Sequence, residues 1–372
     1  MDCHQCHSGC FSARHLGHIF WRHGRYANAA AGKRPGNLCS LFCLWKRRFN
    51  ITLNPKTIHV VPLYRRDWVS ASRYPHFTML GQSLGSYVLA YEAISSFVPD
   101  IFIDTTGYAF TLPFVSSVLE IPTAAYVHYP TISTDMLARL PGVSLLKNIY
   151  WRLFAYAYGY VCQQMDVLMT NSTWTRAHME RLTSKRASKG EIRVIFPPCD
   201  TSALSMLPLK PRENIIIYVA QFRPEKDHAT VLEAFSILLT HNPRMRAEGV
   251  KLVLIGSVRD DRDRRKVEEL KGKAKTLEIS EQVEFICDAP WEDVVSWLAR
   301  AWIGTNAMWN EHFGIGVVEY MAAGLIPVVH DSGGPRLDIV TVFDDKPTGI
   351  PLYLMSNGRF PRCNTSTICI RL

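Results

Sequence analysis

Residues 214–239, NIIIYVAQFRPEKDHATVLEAFSILL, decide the fold class of this chain. The apolar run at 214–220 has the length and the β-branched content of a strand that is buried on both faces. A proline-containing turn follows, and residues 230–239 then repeat apolar side chains at helical spacing. A strand, a turn and a helix in this order form the repeating unit of a parallel sheet covered by helices.

The same alternation continues on both sides of this stretch. Towards the C-terminus it predicts strands at 251–256, 282–286, 302–306 and 326–329 and helices at 264–277, 292–301 and 316–323. Towards the N-terminus it predicts strands at 57–63, 100–104, 123–128, 166–170 and 193–196 and helices at 80–95, 110–119 and 144–161. The predicted fold is therefore α/β, with two Rossmann-like domains facing a cleft and ligands beyond the carboxyl ends of the strands.

Pro208 and Pro211 mark the predicted domain boundary, because proline interrupts regular structure. The expected organisation is an irregular leader at 1–47, an N-terminal domain at 48–205, a C-terminal domain at 206–340 and an irregular tail at 341–372. The N-terminal domain counts as incomplete in this prediction. No apolar run of about 20 residues and no signal-peptide core is present, so we expect the chain to face the cytosol.

The composition of the 372 residues is that of a globular protein, with 47% hydrophobic and 20% charged residues. The net charge of +9 fits a phosphate-bearing substrate, an anionic membrane or nucleic acid, or simply scattered basic residues. No long basic block carries interleaved aromatic residues, so we predict no nucleic-acid partner. Cys3, Cys6 and Cys10 have the spacing of half a zinc site, but no second half follows, and we predict no metal.

The most informative candidate site is WNEHFGIGVVE at 309–319. Two carboxylates, Glu311 and Glu319, stand eight residues apart across a turn that enters a helix. Free N–H groups at such a helix start suit a diphosphate, and the two acids suit a sugar and a ribose. A helix-entry acid and a solvated helix acid, without function, explain the spacing equally well.

Basic residues follow the first strand of the second domain. Arg223 and Lys226 flank Pro224, and together they could converge on phosphate oxygens, or lie on a solvated loop. In the first domain, His128 closes a predicted strand, where it could meet a ligand or serve only structure. Gly333 and Gly334 permit either close backbone approach or a plain turn.

The 309–319 segment resembles the E-x7-E motif of the retaining family 4 glycosyltransferases with the GT-B fold. Longer strings, MWNEHFGIGVVE, YPHFTMLGQSLGS, DTTGYAFTLP, YVHYPTISTDML, FPPCD, QFRPEKDH and SGGPRLDIV, resemble the eukaryotic α-1,2-mannosyltransferases that extend the dolichol-linked oligosaccharide. The resemblance covers roughly residues 48–340. It implies GDP-mannose as donor substrate, with no metal or other cofactor.

The resemblance also implies roles for particular residues. Glu311 and His128 would act at the transferred sugar, and Arg223 and Lys226 at the diphosphate. Glu319 would bind the ribose, and Asp135 would shape the acceptor side. The turn between the two acids would complete the nucleotide-sugar site, with Phe313, Gly314, Ile315 and Gly316.

The implied partners are a dolichol-diphosphate-linked oligosaccharide, the cytosolic face of the endoplasmic reticulum membrane, and other mannosyltransferases. The aromatic segment 144–162 could lie in a membrane interface or form a buried crossing helix. The family's first strand with its glycine-rich loop, and its pattern after residue 340, are not recognisable. The alternatives are therefore a catalytically impaired product that binds nucleotide or partner transferases without turnover, and a transferase with another donor.

Overall fold

The computed structural model describes Asn54, residues 61–132 and residues 145–352. The chain divides into two compact units, Met1–Phe196 and Pro197–Leu372. Each unit is described here by itself. Most of the strand predicted at 57–63 lies outside the described residues, and residues 61–63 contain no strand.

The first unit alternates helices with short parallel strands. Its described elements are α1 (Thr78–Ser96), β1 (Phe102–Asp104), α2 (Leu112–Val118), β2 (Thr123–Val127), α3 (Leu145–Cys162), β3 (Val167–Thr170), α4 (Thr173–Leu182), α5 (Ser184–Lys189) and β4 (Ile192–Val194). The strands form a sheet in the order β1-β2-β3-β4, and all pairs are parallel. The core of this unit includes Val115, Tyr158 and Leu168, all fully buried. The strands predicted at 100–104, 123–128, 166–170 and 193–196 are confirmed.

The second unit has the longer sheet. Its described elements are β5 (Ile215–Val219), α6 (His228–His241), α7 (Pro243–Ala247), β6 (Lys251–Gly256), α8 (Asp261–Thr276), β7 (Val283–Cys287), α9 (Trp291–Arg300), β8 (Ile303–Asn306), α10 (Ile315–Ala322), β9 (Ile326–His330), β10 (Val342–Phe343), β11 (Lys346–Pro347) and β12 (Ile350–Leu352). The six-stranded sheet has the order β12-β9-β8-β5-β6-β7, and all its pairs are parallel. The five strands predicted here are confirmed.

Alternate residues of β6 show why this sheet is covered on both faces. Leu252 and Leu254 pack into a core with residues of α6 and α8. Val253 and Ile255 pack into another core with residues of α9 and α10. Because neighbouring side chains of a strand point to opposite faces, a strand made only of apolar residues must be covered on both faces of the sheet.

The region after Val340 is more regular than predicted. Residues 341–352, expected to begin an irregular tail, form the β10–β11 hairpin and then β12, which pairs in parallel with β9. The prediction was wrong here because a three-residue strand containing Pro351 has almost no local pattern. Pro351 is tolerated because β12 is the outermost described strand, where a missing N–H donor costs little.

Candidate functional site

The strand order of the second unit reverses between β5 and β8. The chain moves from β5 outward through β6 and β7, and then returns to the other side of β5 as β8. At such a reversal the loops after the two strands diverge and leave a crevice at the carboxyl edge of the sheet. The loop after β5 carries Arg223 and Lys226, and the loop after β8 carries Glu311. The fold therefore brings three of the predicted site residues to one place.

Lys226 and Glu311 form an ion pair across this crevice, between the Lys226 ammonium and Glu311 Oε2. Both side chains are mostly buried, with 21% and 14% of their surface exposed. The Tyr218 hydroxyl donates a hydrogen bond of 2.6 Å to the Lys226 carbonyl, which fixes the loop beside β5. Asp227, with φ of 47°, then caps α6 and ends the basic loop.

Glu311 is held by the loop that follows β9. The Gly334 N–H donates to the Glu311 carbonyl at 2.8 Å, and the Asn310 N–H donates to Ser332 Oγ at 2.8 Å. A Cβ atom on Gly333 would lie 2.3 Å from the Glu311 carbonyl oxygen, and φ at Gly333 is 68°. Of the two interpretations of the glycine pair, close backbone approach is therefore the one observed.

The turn between the two acids opens α10. Gly314 adopts φ of 104° directly before the helix, a conformation that side chains other than glycine rarely allow. Phe313 is buried beneath the turn, whereas Ile315 is exposed. The first N–H groups of a helix have no intrahelical acceptor, so the N–H groups of Ile315 and Gly316 remain available as backbone donors. This geometry suits an anionic group.

Glu319 lies one turn into α10, and the residue is half-buried. Burial raises the pKa of Glu319 to about 7. Burial raises the pKa of the Cys199 thiol, and the charge of Glu319 raises it further. The next residue, Tyr320, is buried and accepts a hydrogen bond of 2.7 Å from the Val219 N–H at the end of β5. Glu319 is thus placed by a helix that is fastened to the strand before the basic loop.

Arg223 is the less firmly paired of the two basic residues. Its Nη1 lies 3.7 Å from Glu225 Oε1, and 28% of the Arg223 side chain is exposed. Its Nε is buried without a hydrogen-bond partner among the described residues. A guanidinium in this position retains donors for an anionic ligand.

His128 belongs to the first unit, where it follows β2 and lines a cavity of about 550 Å³. Its surface is partly exposed, yet partial burial lowers the pKa of His128, and Asp104 opposes this shift. Its ring packs edge-on against Tyr126, with centroids 4.8 Å apart. The predicted acceptor-side residue Asp135 lies outside the described residues.

Several residues at the site were not predicted from sequence, namely Tyr218, Tyr320, Ser332 and Cys199. Tyr218 and Tyr320 lie inside apolar runs, where nothing distinguishes a tyrosine that fixes a loop from one that fills the core. Ser332 and Cys199 lie within strings that carried the resemblance, but their contacts depend on distant elements. Within residues 61–132 and 145–352, no group of three or more His, Cys, Asp or Glu side chains could hold a metal ion.

Two solved structures have a similar fold. An α,α-trehalose 6-phosphate synthase from Burkholderia multivorans superposes with a TM-score of 0.54 at 15% identity, covering 72% of this chain and 66% of that one. The Anabaena protein Alr3699/HepE, solved in complex with UDP, gives 0.52 at 17% identity, covering 68% and 66%. With its two units of parallel sheet and helices, the chain has the GT-B glycosyltransferase fold.

Sequence comparison narrows this class. A family described as "ALG11 mannosyltransferase N-terminus" matches residues 39–183, and one described as "Glycosyl transferases group 1" matches residues 205–347. Proteins named GDP-Man:Man(3)GlcNAc(2)-PP-Dol alpha-1,2-mannosyltransferase are 48% identical in Neurospora crassa, 42% in Mus musculus and 43% in Homo sapiens. Over these residues the chain is therefore similar to ALG11 mannosyltransferases, and it carries a group 1 glycosyl transferase domain.

These three matches cover 82% of the chain. The chain spans 61% of the length of the Neurospora relative and 65% of the length of the mouse and human relatives.

Proposed function

We propose that the chain transfers mannose from GDP-mannose, with retention of configuration, to a dolichol-diphosphate-linked oligosaccharide of the Man3GlcNAc2 class. The new bonds would be α-1,2 linkages made for protein N-glycosylation. The observation that carries this proposal is the meeting of Lys226 and Glu311 at the β5/β8 crevice, next to the helix that bears Glu319. The names and the 42–48% identity of the relatives support the choice of donor and acceptor.

The donor would lie along the crevice with its charge at the basic loop. Lys226 and Arg223 would hold the diphosphate and stabilise the negative charge that develops on the departing nucleotide. The N–H groups at the start of α10 would add donors to the same phosphates. Glu311 would accept hydrogen bonds from the hydroxyls of the transferred mannose, and Glu319 from those of the ribose. Since basic side chains and backbone donors supply the positive charge, this arrangement needs no metal ion.

The acceptor sugar would bind to the first unit, in the cavity that His128 lines. The residues that line the His128 cavity are uncharged at neutral pH, and they include Gln82, Ser83, Ser86 and Thr106 beside the rings of Tyr108 and Tyr129. Neutral hydroxyl and amide groups next to aromatic rings suit an uncharged sugar better than a phosphate. The proposed ligand of this cavity is therefore the oligosaccharide end of the acceptor.

A lipid-linked acceptor requires contact with a membrane, and helix α3 offers a surface for it. An apolar stripe at helical spacing is exposed along this helix, and it comprises Leu145, Ile149, Leu153, Tyr156 and Tyr160. Lys147 and Arg152 lie on the same helix and would favour anionic lipid headgroups. No helix in the described part of the chain is long and apolar enough to cross a bilayer. The proposed location is the cytosolic face of the endoplasmic reticulum, beside other mannosyltransferases.

The test is transfer of radiolabelled mannose from GDP-mannose to a lipid-linked Man3GlcNAc2 acceptor by the wild-type chain and by Lys226→Gln. Loss of the cation at the diphosphate should lower kcat/KM by about 100-fold or more. Lys273→Gln is the matched control, because Lys273 pairs with Glu233 between two helices of the same unit. Transfer that survives Lys226→Gln contradicts the assigned site. GDP-mannose binding without any transfer by the wild-type chain favours the impaired, nucleotide-binding alternative.

A further inference from the structure

The ion pair in the crevice has a consequence for which nucleotide the site retains. We propose that Glu311, through its pairing with Lys226, weakens the binding of a bare nucleoside diphosphate relative to the nucleotide sugar. The inference rests on the proposed function, because it takes Lys226 as a ligand of the diphosphate. It adds a selection step to that function, in which the donor is held and the spent nucleotide is released.

The pair is strong enough to compete because it is shielded from solvent. The exposed fractions of Lys226 and Glu311 are 21% and 14%, and charges this buried are screened by salt much less than surface charges. The backbone on both sides is fixed, at Lys226 by the Tyr218 hydroxyl and at Glu311 by the Gly334 N–H. The two side chains are therefore directed at each other by their loops.

A diphosphate that binds the Lys226 ammonium must share it with the Glu311 carboxylate or displace that carboxylate. Displacement leaves Glu311 half-buried, without its cation and close to an anionic phosphate. Removing one partner of a buried pair is costly, because the remaining charge stays poorly solvated. A bare nucleoside diphosphate has no group that reduces this cost.

A nucleotide sugar does have such a group. The hydroxyls of its sugar follow directly after the second phosphate, and each is an O–H donor that a carboxylate accepts well. Glu311 then exchanges its ammonium partner for sugar hydroxyls, and Lys226 is free for the phosphates. After transfer the sugar is gone, so Glu311 competes again for Lys226 and the nucleoside diphosphate is released.

In the part of the chain that the structure describes, Arg223, the other basic residue, has no comparably buried acidic partner. Arg223 Nη1 lies 3.7 Å from Glu225 Oε1, and 49% of the Glu225 side chain is exposed. A single contact at that distance to a half-exposed carboxylate is worth little, since water solvates Glu225 and no hydrogen bond holds the pair. The preference for the nucleotide sugar over the bare diphosphate is thus located at Lys226. Substitution of Glu225, the acidic partner of the other basic residue, is the matched control.

The experiment measures dissociation constants of GDP and GDP-mannose by calorimetry for the wild-type chain, Glu311→Gln, Lys226→Gln and the double variant. Glu311→Gln should tighten GDP binding by about tenfold and tighten GDP-mannose binding less, which narrows the preference for the sugar nucleotide. In the Lys226→Gln background the same change should alter GDP affinity by less than about twofold, because the effect acts through the lysine. Glu225→Gln should leave GDP affinity within about twofold of wild type.

Each other result overturns the inference in a recognisable way. Unchanged or weaker GDP binding by folded Glu311→Gln refutes it, and the proposed function stands if the wild-type chain still transfers mannose. Tightening that persists without Lys226 shows direct repulsion between Glu311 and the phosphates instead of competition for the cation. A wild-type chain that binds neither GDP nor GDP-mannose refutes both this inference and the proposed function. If thermal unfolding shows that Glu311→Gln does not fold, Glu311→Asp, with its shorter reach, should show the same tightening to a smaller extent.

Discussion

The contact between Gly334 and the Glu311 loop allows a steric test of how the site is built. Gly334 has φ of −61° and ψ of −44° and precedes Pro335. The proline ring disfavours this α conformation for a residue with a Cβ, so Gly334→Ala adds some backbone strain to the contact. The added Cβ would lie 2.6 Å from the His312 carbonyl oxygen and from Phe313 Cα, both backbone atoms. Ordinary contact begins at 3.4 Å. The peptide between His312 and Phe313, next to Glu311, must therefore move by about 0.8 Å.

A displacement of this size is close to the misplacement of catalytic groups that strongly lowers the rate of an enzyme. A misplacement of about 1 Å costs about 100-fold, so Gly334→Ala should lower kcat/KM for mannose transfer by about that factor. Overpacking of this kind also costs about 1–3 kcal/mol of unfolding free energy, which leaves most marginally stable domains folded. The assay is steady-state transfer from GDP-mannose, together with urea denaturation of the same preparation.

Gly272→Ala is the control for this substitution. It makes the same chemical change inside α8, where an added Cβ meets nothing within 4 Å. It should keep wild-type activity and raise stability by up to about 1 kcal/mol through helix propensity. A Gly334→Ala protein with wild-type kcat/KM would show that the position of the Glu311 loop is not held by this contact.

Two further predictions concern Glu319 and helix α3. The folded-state pKa of Glu319, about 7, lies above its ordinary value of 4.5, so the folded chain binds more protons between these pH values, and stability falls as pH rises through this window. At pH 4.5, Glu319→Gln should therefore have the same stability in thermal unfolding as the wild type. At pH 8 it should be more stable, by up to about 3 kcal/mol. An equal stability difference between variant and wild type at both pH values would contradict the burial argument. Leu153→Glu on the exposed stripe of α3 should reduce sedimentation with anionic liposomes several-fold without changing the unfolding midpoint. Lys185→Glu, at an exposed position of α5, should reduce sedimentation less, and equal losses would show that charge alone drives binding.

The strands of the second unit were predictable because each is an apolar run bounded by polar or turn residues. Residues 251–256 were predicted to the residue, since KLVLIG is flanked by a glycine-valine step and a serine. Helix α4 (Thr173–Leu182) was missed because TWTRAHMERL is polar for a helix. Its start depends on Ser172, whose side chain accepts the Thr175 N–H at 3.0 Å. That cap was a local clue that the composition concealed.

The residue types of the candidate site could be predicted from the sequence, but most of their spatial arrangement could not. Spacing indicated two acids across a helix entry and two basic residues after a strand, and the structure places all four in the second unit. The pairing of Lys226 with Glu311 joins residues 85 positions apart, and only the strand order β8-β5 makes it possible. The burial that raises the pKa of Glu319 likewise depends on its tertiary surroundings, which no sequence window contains. The roles assigned to these residues remain predictions.

Tyr320 connects three elements that the chain keeps far apart. Its hydroxyl accepts the Val219 N–H, and a Cβ on Gly304 in β8 would lie 2.3 Å from its ring. Substitutions at positions 219, 304 and 320 are therefore coupled. A larger residue at 304 would displace the Tyr320 ring and break its hydrogen bond to the end of β5. Attempts to change the donor by redesign should treat these three positions as a fixed frame and vary the loops around it. A library that randomises Gly304 would mostly contain variants in which the basic loop and the helix of Glu319 are no longer fixed relative to each other.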